Sequence, residues 1–377
     1  MTGIMQMLLS SVAAADVYEL YAWGDNDDSE LGIGSTSSRS SPVQVGSLVD
    51  WKDISIRNNF AIANKTDYTL WSWGNNYNGQ LGLNDRTTRN SPVQVGALTN
   101  WQSISAGGDW THAIKTDNTL WAWGGTFAGR NGLNISDNSR VSSPVQVAGG
   151  AIWAKVSAGV INHSFGITIF GTLWAWGANN GGKLGLNDAF PGNQGRSTPT
   201  QVGGLTNWKE VATGRSHALA VKTDGTLWGW GYNNQGQLGQ NHISPAFFSS
   251  PIQIGALTNW SKISAGAQLS FGVKTDGTLW AWGSNILGRL GTNNTIDISS
   301  PTQVGALANW TDINVGYGYN VAGINAGRFF TWGQNEKGEL GQNDTVDRSS
   351  PVQVGTLTTW YRAQAGSRNT MGLKTPE

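Results

Sequence analysis

The stretch Thr119-Leu-Trp-Ala-Trp-Gly124 constrains this chain more than any other, because it recurs, with small changes, seven times. Leu120 and Ala122 alternate with Trp121 and Trp123. Strand side chains point to opposite faces with period two, so the stretch reads as a β-strand with two large rings on one face. Gly124 ends the strand and opens a turn. The last tryptophan of each copy falls at Trp23, Trp73, Trp123, Trp176, Trp230, Trp282 and Trp332, at spacings of 50, 50, 53, 54, 52 and 50. Length alone, 377 residues, suggests several domains, but a repeat of this period overrides that expectation. Residues 16–377 are therefore read as a single domain, preceded by an apolar arm over residues 1–15.

Two further landmarks share the period. One is a proline, at Pro42, Pro92, Pro144, Pro199, Pro251, Pro301 and Pro351. The other is a linker tryptophan nine residues later in every repeat, at Trp51, Trp101, Trp153, Trp208, Trp260, Trp310 and Trp360. Large length differences are confined to the segment between Trp-Gly and the proline. With Trp71, Trp121, Trp174, Trp228 and Trp280, the repeat positions hold 19 of the 20 tryptophans, and Trp110 alone lies off the grid. Rings at equivalent positions are expected to form core between repeats.

Each repeat contains four strand-like pieces, in the third repeat Ser103–Ala106, His112–Thr116, Thr119–Gly124 and Pro144–Val147. A short turn such as Thr223-Asp224-Gly225 joins the second to the third as a hairpin. Proline suits the fourth piece as an edge strand. The small residues of the first piece suit the crowded axis of a ring. Seven units of four strands predict an all-β, seven-bladed β-propeller of antiparallel blades. Leu373-Lys374-Thr375 is the second strand of a unit and Tyr18–Gly24 the third. The ring is thus predicted to close through a composite blade drawn from both termini, which protects sheet edges.

Composition narrows the function. Basic and acidic residues balance at 24 each, which provides no field for nucleic acid or an anionic membrane. With no cysteine, thiol catalysis and cysteine-based zinc sites are excluded. No apolar run reaches the roughly 18 residues of a membrane span. Ile4–Leu9 and Val12–Ala15 loosely resemble a secretory signal but lack its basic n-region. The other reading of the arm is packing on this protein or on neighbouring subunits of an assembly.

The pattern Trp-Gly-x-Asn-x-x-Gly-x-Leu-Gly at Trp73–Gly82, Trp230–Gly239 and Trp332–Gly341 resembles the regulator of chromosome condensation repeat, as does Gly214-Arg-Ser-His-Ala-Leu-Ala220. The likeness covers about residues 16–375 and implies the same propeller fold. Lys222–Trp228 and Lys274–Trp280, reading Lys-Thr-Asp-Gly-Thr-Leu-Trp, are most similar to bacterial and bacteriophage members. Fold membership does not carry function. The founding member's guanine-nucleotide exchange implies an inserted wedge, and its nucleosome binding a basic tail; neither is recognisable here. The repeated Gly-Trp-Arg-His-Thr of the light-sensing plant members is also missing.

Candidate residues follow from topology. In an antiparallel blade the first-to-second and third-to-fourth loops emerge on one face, and these vary most between repeats. Variation on one rim is what a binding surface shows. The candidates are Phe60, Trp110, His163, His217, Leu269, Tyr319 and Asn369 near the head of the second strand. Long loops add Phe190, Phe247 and Phe248, read as a contact patch or as rings folded onto the blades. A position that takes Phe, Leu and His argues for contact or packing rather than catalysis. The acidic turn Asp25, Asp27, Asp28 and Glu30 lacks calcium-loop spacing and is read as solvated. No cofactor or metal is expected, and titratable groups look scattered. The expected function is a non-enzymatic interaction or structural module. Its expected partner is a protein or a surface glycan, in a virion or at a cell surface. The alternative is an exchange-factor-like regulator of a small GTPase.

Overall fold

The alternation in the repeated strand decides how the sheets stack. Leucine and alanine face the following blade; the two tryptophans face the preceding one. At the junction of blades 5 and 6, Leu219, Val221, Leu227 and Ile254 receive Trp260 and Trp282. The closing junction repeats this, with Ala322, Ile324, Phe329 and Val354 of blade 7 receiving Trp23 and Trp360 of blade 1. Small residues on one face leave room for the indoles arriving from the next.

The computed structural model describes residues 17–188, 195–317 and 320–376. The arm over residues 1–15, Phe190 and Tyr319 lie outside them. The described residues form 28 strands in seven four-stranded antiparallel sheets. Blade 1 is composite: Arg39–Gln44 and Glu19–Gly24 continue into Asn369–Lys374 and Trp360–Ala365. Glu19–Gly24 and Asn369–Lys374 pair antiparallel from Glu19 opposite Lys374 to Gly24 opposite Asn369, as predicted. The strand opened by the linker tryptophan is innermost and the proline-bearing strand outermost, also as predicted.

Each motif residue has a mechanical role. The Trp-Gly tryptophans are fully buried, and each meets a linker tryptophan edge-on, as Trp101 and Trp123 do at 6.0 Å between ring centroids. Six of the seven indoles donate Nε1–H to a carbonyl in the preceding blade, for example Trp123 to Gln80 at 2.8 Å and Trp230 to Lys183 at 3.0 Å. The glycine of Leu-Gly clears the indole's seat: a Cβ on Gly82 would lie 2.8 Å from Trp123 Nε1, and its φ of +72° already disfavours a side chain. The hairpin is tied by a relay in which Trp121 Nε1 donates to Thr119 Oγ1, and Thr119 Oγ1 to Asp117 Oδ1, at 2.9 and 2.6 Å. Lys115, Lys222 and Lys274 lie over the outer tryptophan rings at 3.4–3.6 Å.

The inner strands lock to one another as well. Their free edges would leave N–H groups unpaired at the axis. Ser55, Ser105 and Ser264 Oγ accept the N–H of Ala106, Ala158 and Val315 in the next innermost strand, at 2.9, 2.9 and 3.1 Å. The predicted small first strand is thus a ring of inter-blade caps. A central cavity of about 370 Å³ is lined by residues of all seven innermost strands.

Candidate loop-face interface

The third-to-fourth loops are built around one buried side chain. Three residues after the Trp-Gly tryptophan, Asn26, Asn76, Asn179, Asn233, Asn285 and Asn335 are buried. Each Oδ1 accepts the N–H of the leucine five residues on, at 2.9–3.0 Å. Nδ2 ties down the returning loop, as Asn233 does by donating to His242 O at 3.0 Å. A buried amide that spends donors and acceptor on the backbone fixes a loop without a core of its own.

The next residue stands at the tip. It is exposed in all seven blades and reads Asp27, Tyr77, Phe127, Asn180, Asn234, Ile286 and Glu336. Tyr77, Phe127 and Ile286 are 64%, 49% and 53% exposed, among the largest apolar exposures of the described residues. Blades 2 and 3 thus present neighbouring aromatics, and blades 7 and 1 neighbouring acids. The aromatic sector rests on a rigid base. Arg140 lies over the Tyr77 ring at 4.3 Å and its Nε donates to Asn78 Oδ1 at 3.0 Å. Asn78 Nδ2 donates to Asp109 Oδ2 at 2.7 Å, and Arg130 donates to Asp109 Oδ2 and Asn162 Oδ1 at 2.7 and 2.8 Å. Burial pushes the Asp109 carboxyl up against the pull of Arg130, and pulls Arg130 down. Loops of blades 2, 3 and 4 are cross-linked beneath the exposed rings.

The head-of-strand candidates are corrected by burial. Phe60, Trp110, His163, His217, Leu269 and Asn369 are each at most 1% exposed. Each pairs with the glycine of Trp-Gly on the neighbouring strand. They pack between blades: Trp110 Nε1 donates to Ser164 Oγ at 3.2 Å, and His217 Nε2 shares a hydrogen bond with Ser270 Oγ at 2.9 Å. In blade 7 the residue in register is Asn320, opposite Gly333, rather than Tyr319. Phe247 and Phe248 take the folded-back reading: they extend the outermost strand Ser244–Gln253, opposite Tyr232 and Gly231, half-buried.

The acidic turn is not fully solvated. Asp25 and Glu30 are 9% and 4% exposed, while Lys337 of blade 7 pairs with Asp25 and Asp27 at 3.6 and 3.0 Å. Burial, with Asp25 and Asp28 nearby, raises the Glu30 carboxyl to about 8. Among the described residues no group of three or more metal-ligating side chains converges.

The axis gathers titratable groups that look scattered in the sequence. The third residue of each innermost strand, counting from its tryptophan, reads Asp53, Ser103, Lys155, Glu210, Lys262, Asp312 and Arg362. Arg362 sits 3.0 Å from Asp53 and 3.6 Å from Asp312, and Lys155 pairs with Glu210. Asp53 and Asp312 hold Arg362 firmly protonated. Alternating signs close this ring on itself.

The regulator of chromosome condensation (RCC1) repeat profile matches residues 19–63, 69–114, 171–221, 224–273, 276–322 and 326–373. It passes over 115–170, where Thr126 and Asn131 replace the motif's asparagine and leucine. The chain is 31% identical over 166 residues to the ultraviolet-B receptor UVR8 of Arabidopsis thaliana, covering 43% of this chain and 36% of that protein. It is 34% identical over 153 residues to human RCC2, covering 39% and 28%. The chain thus spans about a third of these curated relatives. Yeast RCC1 (Prp20), solved bound to Kap60, superposes with TM-score 0.84 at 17% identity, covering 100% of this chain and 96% of that one. Human WBSCR16 gives 0.83 at 20%, covering 95% and 99%. These structural likenesses establish the fold. With the repeat profile matched along most of its length, the chain belongs to the regulator of chromosome condensation (RCC1) repeat family.

Proposed function

We propose that this protein is a non-enzymatic binding platform that docks a protein partner on its loop-bearing face, with Tyr77 and Phe127 as anchors. The observation that carries this reading is the contrast within one motif: a buried side chain bound to the backbone, asparagine in six blades and Thr126 in the third, followed by an exposed residue that differs around the ring. Exposed aromatics on a base already fixed by Arg140, Asp109 and Arg130 resemble binding hot spots. Such anchors dominate affinity and lose little entropy when they are preorganised. The acids of the axial ring, Asp53, Glu210 and Asp312, are engaged in ion pairs with Arg362 and Lys155, which leaves no free acid–base pair for chemistry there. One related propeller is described as binding proteins: the Prp20p structure from Saccharomyces cerevisiae is reported with its binding to Gsp1p and histones, and yeast RCC1 (Prp20) is also solved with Kap60. The virion or cell-surface setting rests on the phage-like repeat variant, the apolar N-terminal arm and the lack of a catalytic set in the sequence.

The test compares capture of proteins from the source organism by the full chain, by Y77A/F127A and by the opposite-face pair L98A/L257A. The loop-face pair is expected to lose a specific partner by about a hundredfold, as truncating two hot-spot rings does, while the opposite-face pair retains it. Equal capture by all three proteins sinks the reading. Exchange-factor activity is the second reading, favoured by the acidic sector at Asp27, Asp28 and Glu336. It predicts that the captured protein is a GTPase whose bound nucleotide is released faster by the full chain.

A further inference from the structure

The seventh residue counted from the linker tryptophan, at the end of the innermost strand, is glycine in six blades and Arg57 in blade 2. Packing dictates the glycines. A Cβ on Gly107, Gly214 or Gly266 would fall 2.4–2.8 Å from the side chains of Trp110, His217 and Leu269. Blade 2 carries Arg57 there, opposite Phe60 across a two-residue turn. The Arg57 side chain then enters the axial cavity. Its Nη1 donates to Val315 O, two blades round the ring, at 3.1 Å.

Among the described residues that carbonyl is its hydrogen-bond partner, which leaves most of the guanidinium's five N–H donors for a ligand. No nearby acid offsets the burial that pulls Arg57 down to about 10. The acids of the channel sit four residues toward the other mouth. That is roughly 13 Å at about 3.3 Å per residue, beyond ion-pair distance. There they are taken up by Arg362 and Lys155. The alternating ring sums to zero, so Arg57 is the channel's net charge. Between the two levels, Ser55, Ser105 and Ser264 accept N–H groups at Oγ and keep their own O–H to donate. The cavity of about 370 Å³ is predominantly polar and is lined by the Arg57 guanidinium. Planar guanidinium donors suit oxygen anions above other ligands.

We infer that the axial channel binds a small oxyanion, of the phosphate or carboxylate class, at Arg57 with the inner-strand serines as further donors. The full chain is titrated with inorganic phosphate by calorimetry, against sodium chloride at matched ionic strength. Saturable phosphate uptake is expected, weakened about tenfold or more in R57Q, which keeps size and loses charge. R57K is expected to fall between them. R57G installs the residue of the other six blades and serves as a second charge-free variant should R57Q fail to fold; it too is expected to lose the phosphate response. Heats indistinguishable between phosphate and chloride overturn the proposal, as does unchanged phosphate affinity in the charge-free variant. Acetate added as competitor separates the sources: displacement marks a site that also admits a partner's carboxylate, and no displacement marks one for the free phosphate ion. Either result supports the oxyanion assignment.

Discussion

Trp123→Ala is expected to lower the unfolding free energy by about 3–5 kcal/mol, the range for truncating a fully buried aromatic. The ring is 0% exposed, lies against Trp101, and donates to Gln80 O at 2.8 Å. Trp123→Phe separates the hydrogen bond from the packing. It removes the Nε1 donor but strands nothing, because Gln80 O still accepts from Thr111 Oγ1 at 2.8 Å. The equivalent change in the next blade provides the contrast. Trp176 Nε1 is buried with no hydrogen-bond partner among the described residues. The equivalent carbonyl, Arg130 O, accepts from Ser164 Oγ at 3.0 Å, as Gln80 O does from Thr111 Oγ1, but lacks the indole bond. Trp176→Phe makes a similar cavity, loses no hydrogen bond and removes a buried unpaired donor. It should therefore be milder than Trp123→Phe by about 2 kcal/mol. Urea midpoints of the two phenylalanine variants decide this. Equal destabilisation would mean the inter-blade indole bonds contribute nothing net.

The fold was legible because ring closure repeats one set of requirements seven times. Alternation along Leu120–Gly124, proline on the outer strand and small residues on the inner strand each state a local packing need. The interface was harder to read, because chemical variety has two causes. At the head of the second strand, Phe60, His217 and Leu269 differ because each fills a different gap between blades. At the loop tip, Tyr77, Phe127 and Ile286 differ with no packing demand upon them. A variable residue beside a backbone-binding side chain, asparagine in six blades and Thr126 in the third, is the signal that separates the cases, and it stood in the motif. The axial ring was invisible for another reason. Asp53, Glu210 and Arg362 are far apart in the chain and meet only once the propeller closes. Arg57 was legible in principle, as one arginine among six glycines at a fixed offset.

Stability should peak near pH 6.5 and collapse below about 4.5. Burial pulls His112 and His217 down to about 3, and His163 well below its usual value. The unfolded chain takes up these protons near 6.5 and the folded chain refuses them. The contribution of each imidazole is thus whole above 6.5 and is lost as pH falls, by about 1.4 kcal/mol per unit. Glu30 and Glu339 act oppositely. Burial raises them to about 8 and about 7, so the folded chain holds their protons where the unfolded chain has released them. Their contribution is whole below about 4.5 and fades as pH rises through 7 and 8. Between 6.5 and 4.5 two glutamates offset two of the three histidines, leaving a slope of about 1.4 kcal/mol per unit; below 4.5 the slope approaches about 4 kcal/mol per unit. Two variants that borrow residues from sibling blades test the assignment. Glu30→Gln installs what Gln80 and Gln237 already provide, an Oε1 accepting the N–H two residues earlier at 2.8–2.9 Å. Its advantage over the native chain should grow with pH toward an upper bound of about 5 kcal/mol above pH 8. His217→Leu, which gives blade 5 the residue that Leu269 supplies in the next blade, should flatten the slope between pH 6.5 and 4.5 and remove about a third of it below 4.5. Urea unfolding between pH 4 and 9 measures both. A Glu30→Gln curve parallel to the native one would show that Glu30 ionises freely in the folded ring, and with it the buried-acid account of blade 1 would go.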